Sequence, residues 1–330
     1  MVTEAPEQAA ATAAPRPSRR ALLGRIPDTA PLFVLLIGLG VFFSIRSEFF
    51  LNYDNFLNIL TAAAITGIIA APATLLLVAG QFDLSVGSAL TFAGVVMAKV
   101  AEDGSLALAI VAAVLAGVGI GMLNGFLVTV IRVNPLITTL GTLAAFAGLA
   151  RVLSDGQTLP VQHFGGLGTA RPLLDIPLPV IVFAGVVAAF YVAMRYTVFG
   201  RSMYAIGANP VAARLAGIRT GRLIFAGFVL SGLFVALAAL INVSQLSAAS
   251  TQAGNGLELS VITAVVLGGA SLAGGRGTII GTLFGLLVIA VLNNGLTLLN
   301  VNSFWQDVAR GALLIFAVSF DQLRLRLAGE

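Results

Sequence analysis

Residues 177–194 read PLPVIVFAGVVAAFYVAM, residues 195–221 RYTVFGRSMYAIGANPVAARLAGIRTG, and residues 222–242 RLIFAGFVLSGLFVALAALIN. Two apolar runs, each about long enough to cross a bilayer as a helix, flank one cationic segment. Between Arg195 and Arg222 the only charges are Arg195, Arg201, Arg214, Arg219 and Arg222, with no acid among them. Short Lys/Arg-bearing loops stay on the cytoplasmic side, so this stretch sets both fold class and orientation. Inside it, Asn209 suits an N-cap, Pro210 the first helical position and Gly217 the residue just past the end. The VAARLA turn between them is too short to be a stable helix alone. A lipid-surface anchor would carry larger apolar side chains, so a groove on a cytoplasmic protein is the expected support.

Composition extends this reading to the whole chain. Hydrophobic residues make up 58% and charged residues 10% of 330, and the mean hydropathy is +1.01. A soluble domain carries about 25% charged residues. The expectation is an all-α polytopic membrane protein embedded in the lipid bilayer. The formal charge of +4 belongs to the topology signal, and no nucleic-acid partner is expected. Without Cys there is no disulfide or thiolate site, and one histidine, His163, cannot build a His-based metal site or proton relay.

Working outward, ten apolar segments can be drawn, near 30–45, 57–79, 84–100, 106–131, 135–153, 177–194, 222–242, 258–273, 278–299 and 304–321. Residues 1–29, rich in Ala, Pro and Arg, are expected to be a disordered cytoplasmic tail. No A-x-A site follows the first apolar run, which argues against a cleaved signal peptide. Residues 30–321 then form the transmembrane domain, with 195–222 as its cytoplasmic loop, and 322–330 form a cytoplasmic C-terminal tail. An even number of spans puts both termini on one side. On that layout 13 of the 18 basic residues lie inside, leaving Arg46, Lys99, Arg151 and Arg171 outside and Arg310 in the membrane. The outer segments 154–176 and 243–257 are polar and glycine-rich, suited to meeting a partner or solute.

The chain also echoes itself. Gly80-Gln-Phe-Asp83-Leu-Ser-Val86 returns as Asn255-Gly-Leu-Glu258-Leu-Ser-Val261, Leu123-Asn124-Gly125 as Asn293-Asn294-Gly295, and Val133-Asn134 as Val301-Asn302. The first copy starts inside and the second outside, so a five-plus-five inverted-topology repeat is expected, an arrangement found among transporters.

Few polar groups enter the apolar segments. Asp83 and Glu258 stand at the mouths of spans, where capping of free backbone N–H groups and interaction with the helix dipole account for them better than proton binding. Asp307 and Arg310, three residues apart, are expected to neutralise one another, since a lone charge near the bilayer centre costs about 2.5–3.5 kcal/mol on insertion scales. Asn124, Asn293 and Asn294 either line a polar path or hydrogen-bond between packed helices; the sequence leaves both open. Clusters such as Gly117, Gly119, Gly121 and Gly125 indicate close helix packing. A phosphate-binding Walker motif needs Gly-Lys-Ser/Thr, and the only lysine lies in Ala98-Lys99-Val100.

Four runs carry a family resemblance: GQFDLSVGS (80–88), NPLITTLGTLAAFAGLARVLSDGQ (134–157), YAIGANPVAARLAGI (204–218) and the long stretch 258–306. Through them the chain resembles the membrane subunit of ribose/xylose-type ABC sugar importers from about residue 30 to 321. The resemblance implies a permease of the bacterial inner membrane that takes a monosaccharide or related polyol from an extracytoplasmic binding protein. It also implies pairing with a second permease copy and service by a cytoplasmic ABC ATPase. That partner holds ATP and Mg; no cofactor is expected in this chain, and no catalysis. By the same resemblance, Asn209, Pro210, Ala212, Ala213, Arg214, Ala216 and Gly217 form the helix that docks on the ATPase. One departure is Gln81-Phe82, where the family more often has Gly-Ile; it bears on local loop geometry and on solute choice. The rivals are an ion-driven secondary transporter, disfavoured by the few embedded acids, and a related ABC permease for branched-chain amino acids or nucleosides. An intramembrane enzyme would need a catalytic constellation that one loop histidine and no paired acids do not offer.

Overall fold

The computed structural model describes residues 30–102 and 104–328. The expected N-terminal tail, 1–29, lies outside them, as do the last two residues of the expected C-terminal tail. Most of the described residues are helical: α1 (Ala30–Arg46), α2 (Tyr53–Val78), α3 (Val86–Ala101), α4 (Leu106–Thr129), α5 (Pro135–Leu153), α6 (Gly166–Thr169), α7 (Leu178–Tyr196), α8 (Val198–Ala208), α9 (Pro210–Leu215), α10 (Thr220–Leu246), α11 (Leu257–Leu267), α12 (Ile279–Leu298) and α13 (Ser303–Ala328). A two-stranded ladder, β1 (Leu159–Pro160) with β2 (Ala248–Ala249), completes it.

Each of the ten apolar segments coincides with a helix. Six of these helices, α2, α4, α5, α7, α10 and α12, are long and apolar enough to cross a membrane, while α1, α3 and α11 are apolar but shorter. At 1.5 Å per residue α3 reaches about 24 Å and α11 about 17 Å, short of a hydrocarbon layer of roughly 30 Å. The segment expected over 258–273 stops being helical at Leu267. Beyond it Gly269, Gly274, Gly275 and Gly277 have positive φ, a backbone that glycine adopts freely and that ends a helix. The cationic loop holds two helices, α8 and α9, where one was expected. At the other end α13 continues through Ala328, into the stretch expected to be a tail.

Helices α2 and α10 form the centre, packed on each other and surrounded by the rest. Helix α10 packs on α4 and α3, and α2 on α12 and α11. Helix α3 in turn packs on α4 and α5, and α11 on α12 and α13. Helix α4 lies close against α10. A methyl group added at Gly232 would stand 2.2 Å from the Gly117 carbonyl oxygen, so only glycine permits this approach.

The two segments expected to lie outside, 154–176 and 243–257, form one cap. Beyond the β1–β2 ladder, Val161 N–H donates to Ser247 O at 2.9 Å and Gly168 N–H to Ser244 Oγ at 2.7 Å. Ser244 Oγ itself donates to the Phe164 carbonyl, pinning the cap to the end of α10.

Candidate functional site

The cationic loop folds as its sequence reads locally. Asn209 Oδ1 accepts the N–H groups of Val211 and Ala212, each at 3.0 Å, and Pro210 opens α9. At the other end Gly217, at φ +83°, donates to Arg214 O, and Ile218 donates to Ala213 O, the paired bonds of a glycine-terminated helix. Helix α9 projects from the body. Ala213 alone is buried, at 4% exposure, and holds the helix to its base; Asn209, Pro210, Ala212, Arg214, Ala216 and Gly217 are exposed. Sequence reasoning overlooked two neighbours: Val211 and Leu215, one turn apart, are 55% and 86% exposed. Two apolar side chains and Arg214 on a rigid, capped turn form a compact contact surface. The i,i+4 spacing in VAARL was the available signal.

Helix α8 carries this turn and is fastened beneath it. Thr197 caps it by accepting Gly200 N–H at 3.2 Å. Its inner face, Gly200, Met203 and Ile206, is buried. A methyl group at Gly207 would stand 1.8 Å from Val78 O and 2.5 Å from Gly275 N, so α8 meets the end of α2 and the 268–278 turn backbone to backbone. Gly275 N–H donates to Val78 O at 2.8 Å, and Tyr204 Oη donates to Gly277 O at 2.6 Å. Burial raises the Tyr204 phenol above its ordinary value, with Arg195 opposing, so the hydroxyl keeps its proton.

From that junction the non-helical segment 79–85 runs inward to Asp83. The Asp83 carboxylate accepts Ser85 N–H at 3.1 Å, Ser85 Oγ at 2.6 Å and Ser231 Oγ at 2.7 Å. Asn124 Nδ2 donates to Ser85 Oγ at 2.8 Å. Ser231 lies about 16 Å along α10 from its start, so this knot ties α3, α4 and α10 together at depth. The cap position of α3 is Ser85, not Asp83, and that of α11 is Gly256, with Glu258 in the first turn. Asp83 therefore acts as a cross-link between helices, and both acids still favour the positive ends of their helices. At the family departure, Phe82 packs on the core, while Gln81 Oε1 is buried with no partner among the described residues.

Asn55 and Asn294 exchange two amide hydrogen bonds, at 3.0 and 2.8 Å, joining α2 to α12. Asn294 thus bonds between packed helices, and Asn124, fully buried, does so through Nδ2 while its Oδ1 has no partner among the described residues. Asn293 is apart from that pair and its Oδ1 has no partner among the described residues. Asp307 and Arg310 form the expected pair, Nη1 to Oδ1 at 3.3 Å. A groove of about 370 Å³ between α7 and α12 is lined by Phe183, Val187, Tyr191, Ile280 and Leu283. Its apolar walls offer a polar solute almost nothing to bind. No cluster of metal-ligating side chains occurs among the described residues.

Residues 55–318 match the family described as branched-chain amino acid transport system permease component. The chain is 38% identical over 297 residues to the ribose import permease protein RbsC of Escherichia coli (strain K12), covering 88% of this chain and 92% of that one. It is 41% identical over 300 residues to RbsC of Bacillus subtilis (strain 168), covering 88% and 90%. With the L-arabinose transport system permease protein AraH of Escherichia coli (strain K12) it shares 36% over 307 residues, covering 91% and 92%. No solved structure matches the chain.

Proposed function

The chain belongs to the family of transport-system permease components matched over residues 55–318, and from that premise we propose how it works. It is an integral membrane protein, the membrane permease of an ABC sugar importer. Although the family description names branched-chain amino acids, the relatives covered nearly end to end are named for ribose and L-arabinose. The solute is a monosaccharide or related polyol, handed over by an extracytoplasmic binding protein. A second copy of the chain completes the path. ATP and Mg act on a separate cytoplasmic ATPase, and this chain does no bond chemistry.

The finer arrangement has ten spans in two inverted sets of five, with both termini, the 195–222 loop and the 268–278 turn on the cytoplasmic side. What supports the repeat is the packing among eight helices: exchanging α2 with α10, α3 with α11, α4 with α12 and α5 with α13 returns the same contacts within that set, whereas α1, packed on α12, and α7, packed on α2, do not exchange. Asn134 and Asn302 also open α5 and α13 alike, each accepting the N–H two residues on, at 2.9 Å.

The observation that carries the coupling role is the exposed, doubly capped α9 seated on α8, which rests directly on the ends of α2 and the 268–278 turn. ATPase and permease states can bias each other only through contacts that differ between them. Helix α9 supplies such a contact, and α8 passes its movement to the backbone leading to Asp83. Leu215→Asp and Arg214→Glu change exposed side chains only, so the permease should insert and assemble normally. ATP-driven uptake in proteoliposomes containing the complete importer should fall at least several-fold. Full uptake in assembled complexes would sink the docking role.

A further inference from the structure

The non-helical segment 250–256 leads from the outer cap down to α11, and its depth is fixed by one backbone crossing. A methyl group at Gly254 would stand 1.8 Å from Gly87 O, and Gly254 N–H donates to Thr91 Oγ1 at 3.0 Å. Gly87 belongs to the first turn of α3, just beyond the Asp83–Ser231 knot at the middle of α10. Segment 250–256 therefore reaches the interior of the membrane domain without being helical.

One side of it is uncovered. Gln252 and Asn255 are exposed and bonded to each other, Asn255 Nδ2 donating to Gln252 Oε1. Glu258, one turn on and half-buried, makes no hydrogen bond or ion pair among the described residues. Arg310 of α13 closes the group, with Nη1 3.6 Å from the place of a Cβ on Gly256 and a buried Nε that has no acceptor among the described residues. Exposed irregular backbone and an unpaired carboxylate are not found against hydrocarbon; at membrane depth they border water or protein.

We propose that Gln252, Asn255, Glu258 and Arg310 form a contact station for a neutral polyhydroxyl solute on the wall of the aqueous path. Each hydroxyl of such a solute both donates and accepts. The carboxylate takes donors, the arginine Nε needs an acceptor, and the two amides offer both. The station rests on the sugar-importer reading for its solute, whereas its place away from hydrocarbon rests on the geometry.

The chain has no cysteine, so single cysteines report without background. Asn255→Cys, with Gln252→Cys as a second reporter should the first not fold, is compared with Leu115→Cys on the 65%-exposed face of α4. Each is placed in the complete importer in proteoliposomes and treated with a membrane-impermeant thiosulfonate, with radiolabelled ribose and L-arabinose as solutes. The station predicts that the Asn255→Cys and Gln252→Cys variants react far faster than the α4 control and that modification blocks uptake. Glu258→Gln should lower uptake about tenfold, the effect of losing one hydrogen bond to a charged group, with ATPase stimulation retained. Cysteines at 255 and 252 that react only with a lipid-soluble maleimide, or with neither reagent, overturn the proposal, since lipid or a second copy then covers this face. Uptake of neither sugar by the unaltered importer overturns the sugar reading and the solute named here. Normal uptake with unreactive cysteines overturns the wall alone.

Discussion

A hydroxyl holds the deepest knot together. Ser231 donates to Asp83 from a helix 148 positions away in the chain, and the carboxylate has no cationic partner among the described residues. Ser231→Ala removes one of three donors to the Asp83 side chain. The expected cost is about 1–3 kcal/mol, the range for leaving a buried polar group short of a partner, read as a lower thermal midpoint of the purified permease. Tyr204 offers a milder test. Tyr204→Phe loses the bond to Gly277 O and should cost about 0.5–1.5 kcal/mol while loosening α8, seen as faster proteolysis of the loop. The phenol's ordinary value is 10.0 and burial raises it in the folded chain, so the folded state holds its proton more tightly. Its contribution is therefore constant below pH 10 and falls as the pH rises above it, where the unfolded chain ionises first. The stability difference between wild type and Tyr204→Phe should stay flat from neutral pH to about pH 9.

Among the elements, α8 is the one on which the proposed coupling rests. At Gly207 it meets α2 and the 268–278 turn backbone to backbone, so there is no flexible layer at that point to absorb movement. Gly207→Val should force the backbones apart, an overpacking cost of about 1–3 kcal/mol or more. The expected result is an importer whose ATPase no longer responds to sugar-loaded binding protein, although α9 itself is unaltered. Retained stimulation in this variant would show that α8 is a passive spacer. The α9 helix, by contrast, is legible in the sequence alone. Its caps come from residues within a few positions of each other, and such bonds depend only on the local chain.

At the scale of the whole molecule, burial separates the helices into centre and rim. Within its most apolar window α2 is 67% buried inside the chain and α5 only 22%. The rim is left for lipid and for other subunits. Two inverted sets of five predict opposite labelling on the two faces. Single cysteines at Pro160 or Arg171 should react with impermeant reagent from outside intact cells, and those at Ala212 or Gly217 only after permeabilisation. Labelling of Ala212→Cys in intact cells would reverse the orientation drawn from the arginines.

The sequence by itself determined the apolar helices and the capped turn within the arginine loop. Both are short-range signals: run length, and a cap with its terminating glycine. It could not determine which helices touch. In a membrane chain the lipid-facing and core-facing sides are both apolar, so no periodicity marks the buried face. Only tertiary structure joined Asp83 to Ser231, Gly207 to Val78, and Gly254 to Gly87. Only tertiary structure turned Ala213 inward and Leu215 outward on one turn of helix. These pairings depend on close backbone approach across the fold, which glycine and serine permit but do not specify until the facing helix is in place.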